Sequence, residues 1–432
     1  MKVFKFGGAS VRDAAAVRNV ANILRSYAGE PLVVVVSAMG KTTNALEEVV
    51  NAYTHPQPTE GAAVAALTKV KEYHYSIVAE LFGTGDTAEE VGESLNEGFV
   101  EIEWILEETP SESYDYIYDQ IVSIGEFLST RIVSAYLTHV NIANNWLDAR
   151  DVIRTDNTYR EGVVDWSDTE ARIQRTLSAM LERGIVVTQG FIGGTSENFT
   201  TTLGREGSDY SAAIFAHCLN ADSLTVWKDV DGILSADPRR FPNATLLPHL
   251  RYSEAIEMTR FGATVLHPKT MKPLMEKSIE LHVRSFLNPN VDGTVIAETF
   301  PQTQRSSSMY GEITVIAVKK EQIYLSIRTR DSHFIDSATI RILFTIFERH
   351  RIAINLLQMG AVQVSVVVDS CERLADALAE LRISFHISEE QHVHIVSIAN
   401  PTPEAMQEFG DSKKIYIRQF EGSVVRFVQP AD

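Results

Sequence analysis

Cysteine is almost missing: Cys218 and Cys371 are the only two in 432 residues. They are far apart in sequence and sit among apolar neighbours. A disulfide framework is therefore not expected, and both read as core-packing thiols of a reducing compartment. No run approaches the ~18 apolar residues that a membrane-crossing helix needs. Met1-Lys2-Val3-Phe4-Lys5-Phe6 enters a strand at once, without an apolar signal segment, so the expected location is the cytoplasm. Positive charge is also short: 39 Lys and Arg against 57 Asp and Glu leave a net charge of −18. That argues against nucleic acid or an anionic membrane as the partner. An anionic ligand must be held by local cations and dipoles, against the field of the whole chain. Phosphate-loop signatures are missing too. No Gly-x-Gly-x-x-Gly follows a strand, and Gly40-Lys41-Thr42 fails as a Walker loop because its first glycine would fall at Val35, inside a strand. His386, His392 and His394 form the densest histidine group, but no acids or thiols stand beside them at ligand spacing, so no metal site is expected.

What is present is an ordinary globular composition, 44% hydrophobic and 22% charged, long enough for two or three domains at ~150 residues each. Val3–Phe6 reads as a strand, Gly7-Gly8-Ala9-Ser10 as a turn, and Val11 to about Tyr27 as a helix. Leu32–Val36 is a continuous aliphatic run of the kind buried on both faces of a sheet. Helical segments then dominate to about His139. Short strands at Trp146–Asp148, Ile185–Thr188 and Leu224–Trp227 follow, with a helix over 168–182 between the first two. Alternating strands and helices predict an α/β sandwich on a mostly parallel sheet over residues 1–300. Residues 301–310 are polar and serine-rich, a linker. Beyond it, strands at 312–318, 323–327, 352–357, 362–368 and 393–398, with helices at 337–349 and 372–381, describe a ferredoxin-like module over 311–399. A shortened second copy occupies 400–432, with a helix near 405–409 and strands near Ile415 and Val424.

The most informative segment is Thr202-Leu203-Gly204-Arg205-Glu206-Gly207-Ser208-Asp209-Tyr210. It places two glycines, a guanidinium, a hydroxyl and a carboxylate at the mouth of a helix, where unpaired N–H groups and the helix dipole favour anions. A helix capped by Ser208 or Asp209 after a surface turn explains the same letters. Lys5 stands at a strand end ahead of a glycine pair that can cradle phosphate, or is a solvated surface lysine. Trp227-Lys228-Asp229-Val230-Asp231-Gly232 and its continuation to Arg239 follow a strand; an EF-hand is excluded by its ligand positions, which leaves a polar loop or a nucleotide-binding loop. Glu126 sits among apolar residues of a helix and needs a partner if buried, either a ligand ammonium or a structural arginine.

Together these pieces resemble the aspartate kinases of the amino-acid kinase superfamily. The resemblance rests on Lys5-Phe6-Gly7-Gly8, Val36-Ser37-Ala38, Gly125-Glu126, Thr188-Gln189-Gly190-Phe191, Gly204–Asp209, Trp227–Arg239 and Phe261-Gly262-Ala263-Thr264-Val265-Leu266-His267-Pro268. The C-terminal modules are similar to the ACT regulatory pair of these enzymes. The resemblance implies transfer of the γ-phosphoryl of MgATP to the side-chain carboxylate of L-aspartate, giving 4-phospho-L-aspartate, the first step toward lysine, threonine and methionine. It implies Lys5 and Asp209 as catalytic residues, and Thr43, Glu126, Arg205 and Ser208 on the amino acid. Gly7, Gly8, Ser10, Ser37, Lys228, Asp229, Leu234, Arg239 and Thr264 would serve the nucleotide. Magnesium would arrive on the ATP phosphates, without a protein metal site, and the ACT modules would form a homodimer. Alternative readings are a glutamate, acetylglutamate, carbamate or uridylate kinase of the superfamily, or an inactive ACT-type sensor. Three departures stand out: Ala9 for threonine, Leu234 for tyrosine and Thr264 for lysine. The last predicts weaker ATP binding unless Lys269 substitutes. In the regulatory half, Ala353-Ile354-Asn355 and Gly360-Ala361-Val362 lack the acids of the family's effector site, so lysine feedback is expected to be weak or absent.

Overall fold

The five aliphatic residues Leu32–Val36 are all buried because the strand that they form lies inside a parallel sheet. In the computed structural model residues 1–260, 262, 266–300, 313–330, 333–371, 373–410 and 414–431 are described. The chain divides into two units. The first comprises Met1–Ile233, Pro248–Tyr252 and Lys269–Thr299; the second comprises Leu234–Leu247, Ser253–Pro268 and Phe300–Asp432. The linker expected at 301–310 and Thr264 lie outside the described residues.

Strands of the first unit are β1 (Lys2–Phe6), β2 (Leu32–Val36), β3 (Asn144–Leu147), β4 (Ile185–Gln189), β5 (Ile192–Gly194), β6 (Thr200–Thr202), β7 (Ser223–Lys228), β8 (His249–Arg251), β9 (Glu280–Ser285) and β10 (Thr294–Ala297). Eight of them form one sheet in the order β3-β4-β2-β1-β7-β9-β10-β8, parallel except where β10 meets β9; β5 and β6 make a separate antiparallel pair. The helices are α1 (Ala14–Arg25), α2 (Thr42–Thr54), α3 (Ala62–Phe82), α4 (Asp86–Glu107), α5 (Tyr114–Val122), α6 (Ile124–His139), α7 (Trp166–Leu181), α8 (Gly207–Cys218), α9 (Tyr252–Arg260) and α10 (Pro268–Glu276), of which α9 crosses into the second unit after Tyr252. Caps set several starts: the Asp13 carboxylate accepts from Ala16 N at 2.8 Å ahead of α1, and Asp165 accepts from Asp168 N ahead of α7. None of the described helices is long and apolar enough to cross a membrane.

The second unit carries a six-stranded antiparallel sheet in the order β12-β13-β11-β14-β16-β15. Its strands are β11 (Val315–Thr329), β12 (Ile354–Met359), β13 (Val364–Asp369), β14 (Phe385–Ala399), β15 (Ile417–Glu421) and β16 (Val424–Pro430). Its helices are α11 (Ser337–Arg349), α12 (Arg373–Ser384) and α13 (Pro403–Gly410). The sequence predicts two strands at 312–318 and 323–327. The structure joins them into β11, because Glu321 at φ 53° takes up the irregularity and pairing with β14 resumes beyond it. His392, at φ 54° on β14, faces that irregularity with Nδ1 2.9 Å from Glu321 Oε2. Asn355 lies on β12 and donates to Gln322 Oε1 at 2.6 Å, and Gln322 donates to Asp369. Cys218 is buried, as the composition suggests, but Cys371 is exposed, since it lies at the loop between β13 and α12.

Candidate active site

Strand register brings two lysines to one place. In the parallel pair of β1 and β7, Lys5 lies opposite Val226 and Phe6 opposite Trp227. Side chains alternate along a strand, so Lys228, two residues past Val226, shares the sheet face of Lys5. On the opposite face Phe6 stacks on Trp227 with ring centroids 5.8 Å apart. Both lysines stand at the carboxyl ends of their strands, where open α/β sheets place ligands.

Helix α8 lies over that face and supplies the counter-charge. Asp209, its third residue, is 1% exposed. Its Oδ1 is 2.5 Å from Lys5 Nζ and its Oδ2 is 3.1 Å from Lys228 Nζ. Burial opposes ionisation of Asp209, but the two ammonium groups outweigh it and hold the carboxyl below the ordinary carboxylate value. The start of α8 is pressed against the β4–β5 turn. A Cβ on Gly190 would come within 2.5 Å of Ser208 Cβ, and one on Gly207 within 2.7 Å of the Phe191 ring. Only glycine admits this approach. Phe191 N in turn donates to Ser211 Oγ at 2.9 Å.

The turns after β1 and β2 make a cradle beside these lysines. A Cβ on Gly8 would meet Ala38 O at 2.7 Å and Gly40 O at 2.8 Å, and Gly40 N donates to Gly8 O at 3.0 Å. Ser37 N donates to Phe6 O, and Ser129 Oγ to Ser37 O at 2.6 Å. Ser10 Oγ is buried and has no hydrogen-bond partner among the described residues. Glycine backbone, a free buried hydroxyl and two lysines form a donor set suited to the phosphates of ATP.

Glu126 supplies the opposite chemistry. It lies in the first turn of α6, which approaches α2 so closely that a Cβ on Gly125 would stand 3.0 Å from Thr42 Cγ2. Glu126 is 3% exposed and its Oε2 has no partner among the described residues. Burial pushes its pKa up to about 8, although the Ala38 backbone N–H and the Lys5 charge both pull it down. A buried carboxylate with an unmet oxygen is a receptor for an ammonium. Thr43 is half-buried on α2, Ser208 is buried on α8, and Arg205 is exposed on the turn before that helix. Asp229 is exposed just past β7. Leu234 and Arg239 belong to the second unit, where Leu234 bridges to Leu246 and Arg239 pairs with Asp237 through Nε at 3.1 Å and Nη2 at 3.0 Å.

Two residues of the site's surroundings escape sequence reading, and a third, Lys269, is singled out by it. Asp119 on α5 is fully buried and accepts from Arg160 N at 2.8 Å, Thr202 N at 2.9 Å and Thr202 Oγ1 at 2.7 Å, fixing the segment that leads to Arg205. Glu206 sits at φ 53°, a left-handed conformation unusual for a side-chain-bearing residue, and its Oε2 is buried without a partner among the described residues. Lys269 does not project freely toward a nucleotide: its Nζ donates to Leu203 O at 3.1 Å and lies 4.5 Å from the Tyr210 ring centroid. It braces the same segment that Asp119 fixes.

The chain is similar to known proteins over most of its length. A model of the amino acid kinase family matches residues 1–285. Aspartokinase 1, chloroplastic, of Arabidopsis thaliana is 30% identical over 411 residues, covering 92% of this chain and 68% of the relative. Lysine-sensitive aspartokinase 3 of Escherichia coli is 30% identical over 368 residues, covering 85% of this chain and 78% of the relative. The structure of E. coli aspartokinase III in complex with aspartate and ADP superposes with a TM-score of 0.85 at 26% identity, covering 100% of this chain and 96% of that one. The chain spans about two thirds of the length of the plant aspartokinases and about a third of the plant bifunctional aspartokinase/homoserine dehydrogenases that it matches. On the breadth of these matches, the chain belongs to the amino acid kinase family, among its aspartokinases.

Proposed function

We propose that the first unit transfers the γ-phosphoryl group of MgATP to the side-chain carboxylate of L-aspartate, giving 4-phospho-L-aspartate and ADP. The observation that carries this reading is the pairing of buried Lys5 and half-buried Lys228 with the buried Asp209, with the ammonium-seeking Glu126 nearby. The E. coli neighbour holds both aspartate and ADP. The acceptor carboxylate, with an ordinary pKa near ~3.9, is already ionised at neutral pH, so the reaction needs no general base. A bond forms between a carboxylate oxygen and Pγ while the bond from Pγ to the bridging oxygen breaks, and that electron pair leaves with ADP. No proton moves. The barrier is the approach of one anion to another, which charge neutralisation and positioning lower.

Lys5 lies on the transferring phosphoryl in this scheme, and Asp209 orients it. Arg205 binds the α-carboxylate of aspartate and Glu126 its α-ammonium, with Thr43 and Ser208 beside them. Gly7, Gly8, Ser10 and Ser37 line the phosphates. Lys228, Asp229, Leu234, Arg239 and Thr264 serve the nucleotide, and magnesium enters on its phosphates. Assembly as a homodimer through the ACT-like sheet and a cytoplasmic location belong to the same proposal. An ADP-release assay with hydroxylamine trapping of the acyl phosphate tests it. Aspartate-dependent turnover that falls about 10³-fold in Lys5→Ala is expected. Equal turnover of glutamate or N-acetylglutamate, or turnover indifferent to Lys5, refutes it.

A further inference from the structure

Thr202 and Leu203 run straight into the turn that carries Arg205, and each of their four backbone polar groups is held from elsewhere in the first unit. Thr202 N donates to Asp119 Oδ2 at 2.9 Å, and Thr202 O accepts from Gly162 N at 2.8 Å. Leu203 N donates to Phe191 O at 2.8 Å. Leu203 O is the last of the four, and its donor is the Lys269 ammonium, 66 positions on, at 3.1 Å. Beyond it the backbone is left-handed at Gly204, φ 79°, and at Glu206, φ 53°, with Arg205 exposed between them.

Lys269 also reaches the far side of that turn. Its Nζ lies 4.5 Å from the centroid of the Tyr210 ring, and Tyr210 is buried in the first turn of α8, next to Asp209. One ammonium therefore holds the chain just before Arg205 and again just after it, by a charge-assisted hydrogen bond and by a cation–π contact. Burial works against the charge of Lys269 and lowers its pKa, with Glu161 pulling the other way. A methionine would fill the same space without that penalty, but it would take the donor away from Leu203 O.

We infer that Lys269 is a positioning residue for the acceptor amino acid: by holding Leu203 O and the Tyr210 ring it fixes the turn from which Arg205 reaches the α-carboxylate. The inference rests on the kinase reading above and deepens it. In this role Lys269 touches no substrate, and it does not stand in for the lysine that the family carries where Thr264 stands. Its effect falls on the affinity for aspartate, because a long arginine side chain grips a carboxylate well only where its backbone is held. The phosphates meet Lys5, Lys228 and the glycine turns, and Leu203 belongs to none of these. Asp209 keeps its own ties to Lys5 and Lys228, so the transfer step itself is little affected.

The test is a double-mutant cycle on the full-length protein, with kcat and the KM values for aspartate and ATP measured in each variant. Lys269→Met is expected to raise the KM for aspartate about tenfold, the loss of one charge-assisted hydrogen bond, while kcat and the KM for ATP change less than about threefold. Lys269→Arg keeps a charged donor beside the ring and is expected to recover most of that loss. In an Arg205→Ala background, Lys269→Met is expected to raise the KM for aspartate less than about threefold further, since the turn then has nothing to aim. A general loosening of the fold would instead raise both KM values alike and add fully to Arg205→Ala. Either result overturns the inference, as does a Lys269→Met enzyme within twofold of the wild type in its KM for aspartate. If Lys269→Met does not fold, Lys269→Gln takes its place in the same cycle and the same outcomes decide. A wild type that does not phosphorylate aspartate refutes the kinase reading instead.

Discussion

Binding of aspartate should expel a proton from Glu126, and the size of that effect follows from where Glu126 sits. Burial raises its pKa to about 8 in the unliganded protein, with one carboxylate oxygen unmet. At pH 7 a group of pKa about 8 is ~90% protonated. The α-ammonium of aspartate, brought to that oxygen, favours the ionised form. Binding at pH 7 therefore releases ~0.9 proton, and binding at pH 8 releases ~0.5. The same linkage makes aspartate bind about fivefold more tightly at pH 8 than at pH 7, because less work is spent in removing the proton. Calorimetry of aspartate binding in two buffers of different ionisation enthalpy counts the released protons directly.

Glu126→Gln keeps the shape of the side chain and removes the titration. Its proton release should fall to near zero and its aspartate affinity should become flat between pH 7 and 8. The charge-assisted bond lost from the ammonium weakens binding by ~1.5–3 kcal/mol, or about 10- to 100-fold. Zero proton release by the wild type at pH 7 would refute the reasoning, because a carboxylate already ionised when free has nothing to expel. Equal release by wild type and Glu126→Gln would refute the assignment to this residue.

Asp119 and Gly190 make two further tests. Burial raises the pKa of Asp119 to about 6, against the hydrogen bonds from Arg160 and Thr202 that favour its charge. A folded pKa above the unfolded ~3.9 means stability that is fully present below pH ~4 and is lost as pH rises through 6. Asp119→Asn can keep all three bonds, since its oxygen can accept both N–H groups and its amide can donate to Thr202 Oγ1. It should be the more stable form at pH 8, by at most ~3 kcal/mol, and no more stable at pH 4. Urea unfolding at the two pH values checks this, and a variant equally destabilised at both contradicts it. Gly190→Ala puts a methyl 2.5 Å from Ser208 Cβ, so α8 must shift or the fold must strain. A loss of ~1–3 kcal/mol in urea unfolding is expected, together with a kcat that falls by more than the stability loss explains. An alanine variant of wild-type stability and kcat would show that the contact between the β4–β5 turn and α8 does not position Asp209.

The framework was readable wherever a local pattern decides the structure. Leu32–Val36 can be little else than a buried strand, and Ser337–Arg349 is the helix that its periodicity predicts. Local pattern fails at β11, where Lys319-Lys320-Glu321-Gln322 looks like a break between strands. Pairing with β14 on either side carries the strand across it, and that support comes from residues about 70 positions away. The site divides in the same way. Lys5, Asp209 and Glu126 announce themselves by charge in apolar or glycine-rich surroundings, yet their relation depends on register. One residue of slippage between β1 and β7 would put Lys228 on the face of Phe6, away from Asp209. No window of sequence contains that register. Glu206 is hidden for a different reason: a left-handed backbone is announced in sequence by glycine or asparagine, and a glutamate there carries no such mark. Burial raises its pKa, and the Lys228 charge is the largest influence drawing it back. The least legible parts of the site are thus Glu206, in a strained turn that no local rule favours, and Lys228, on a strand register that no local rule fixes.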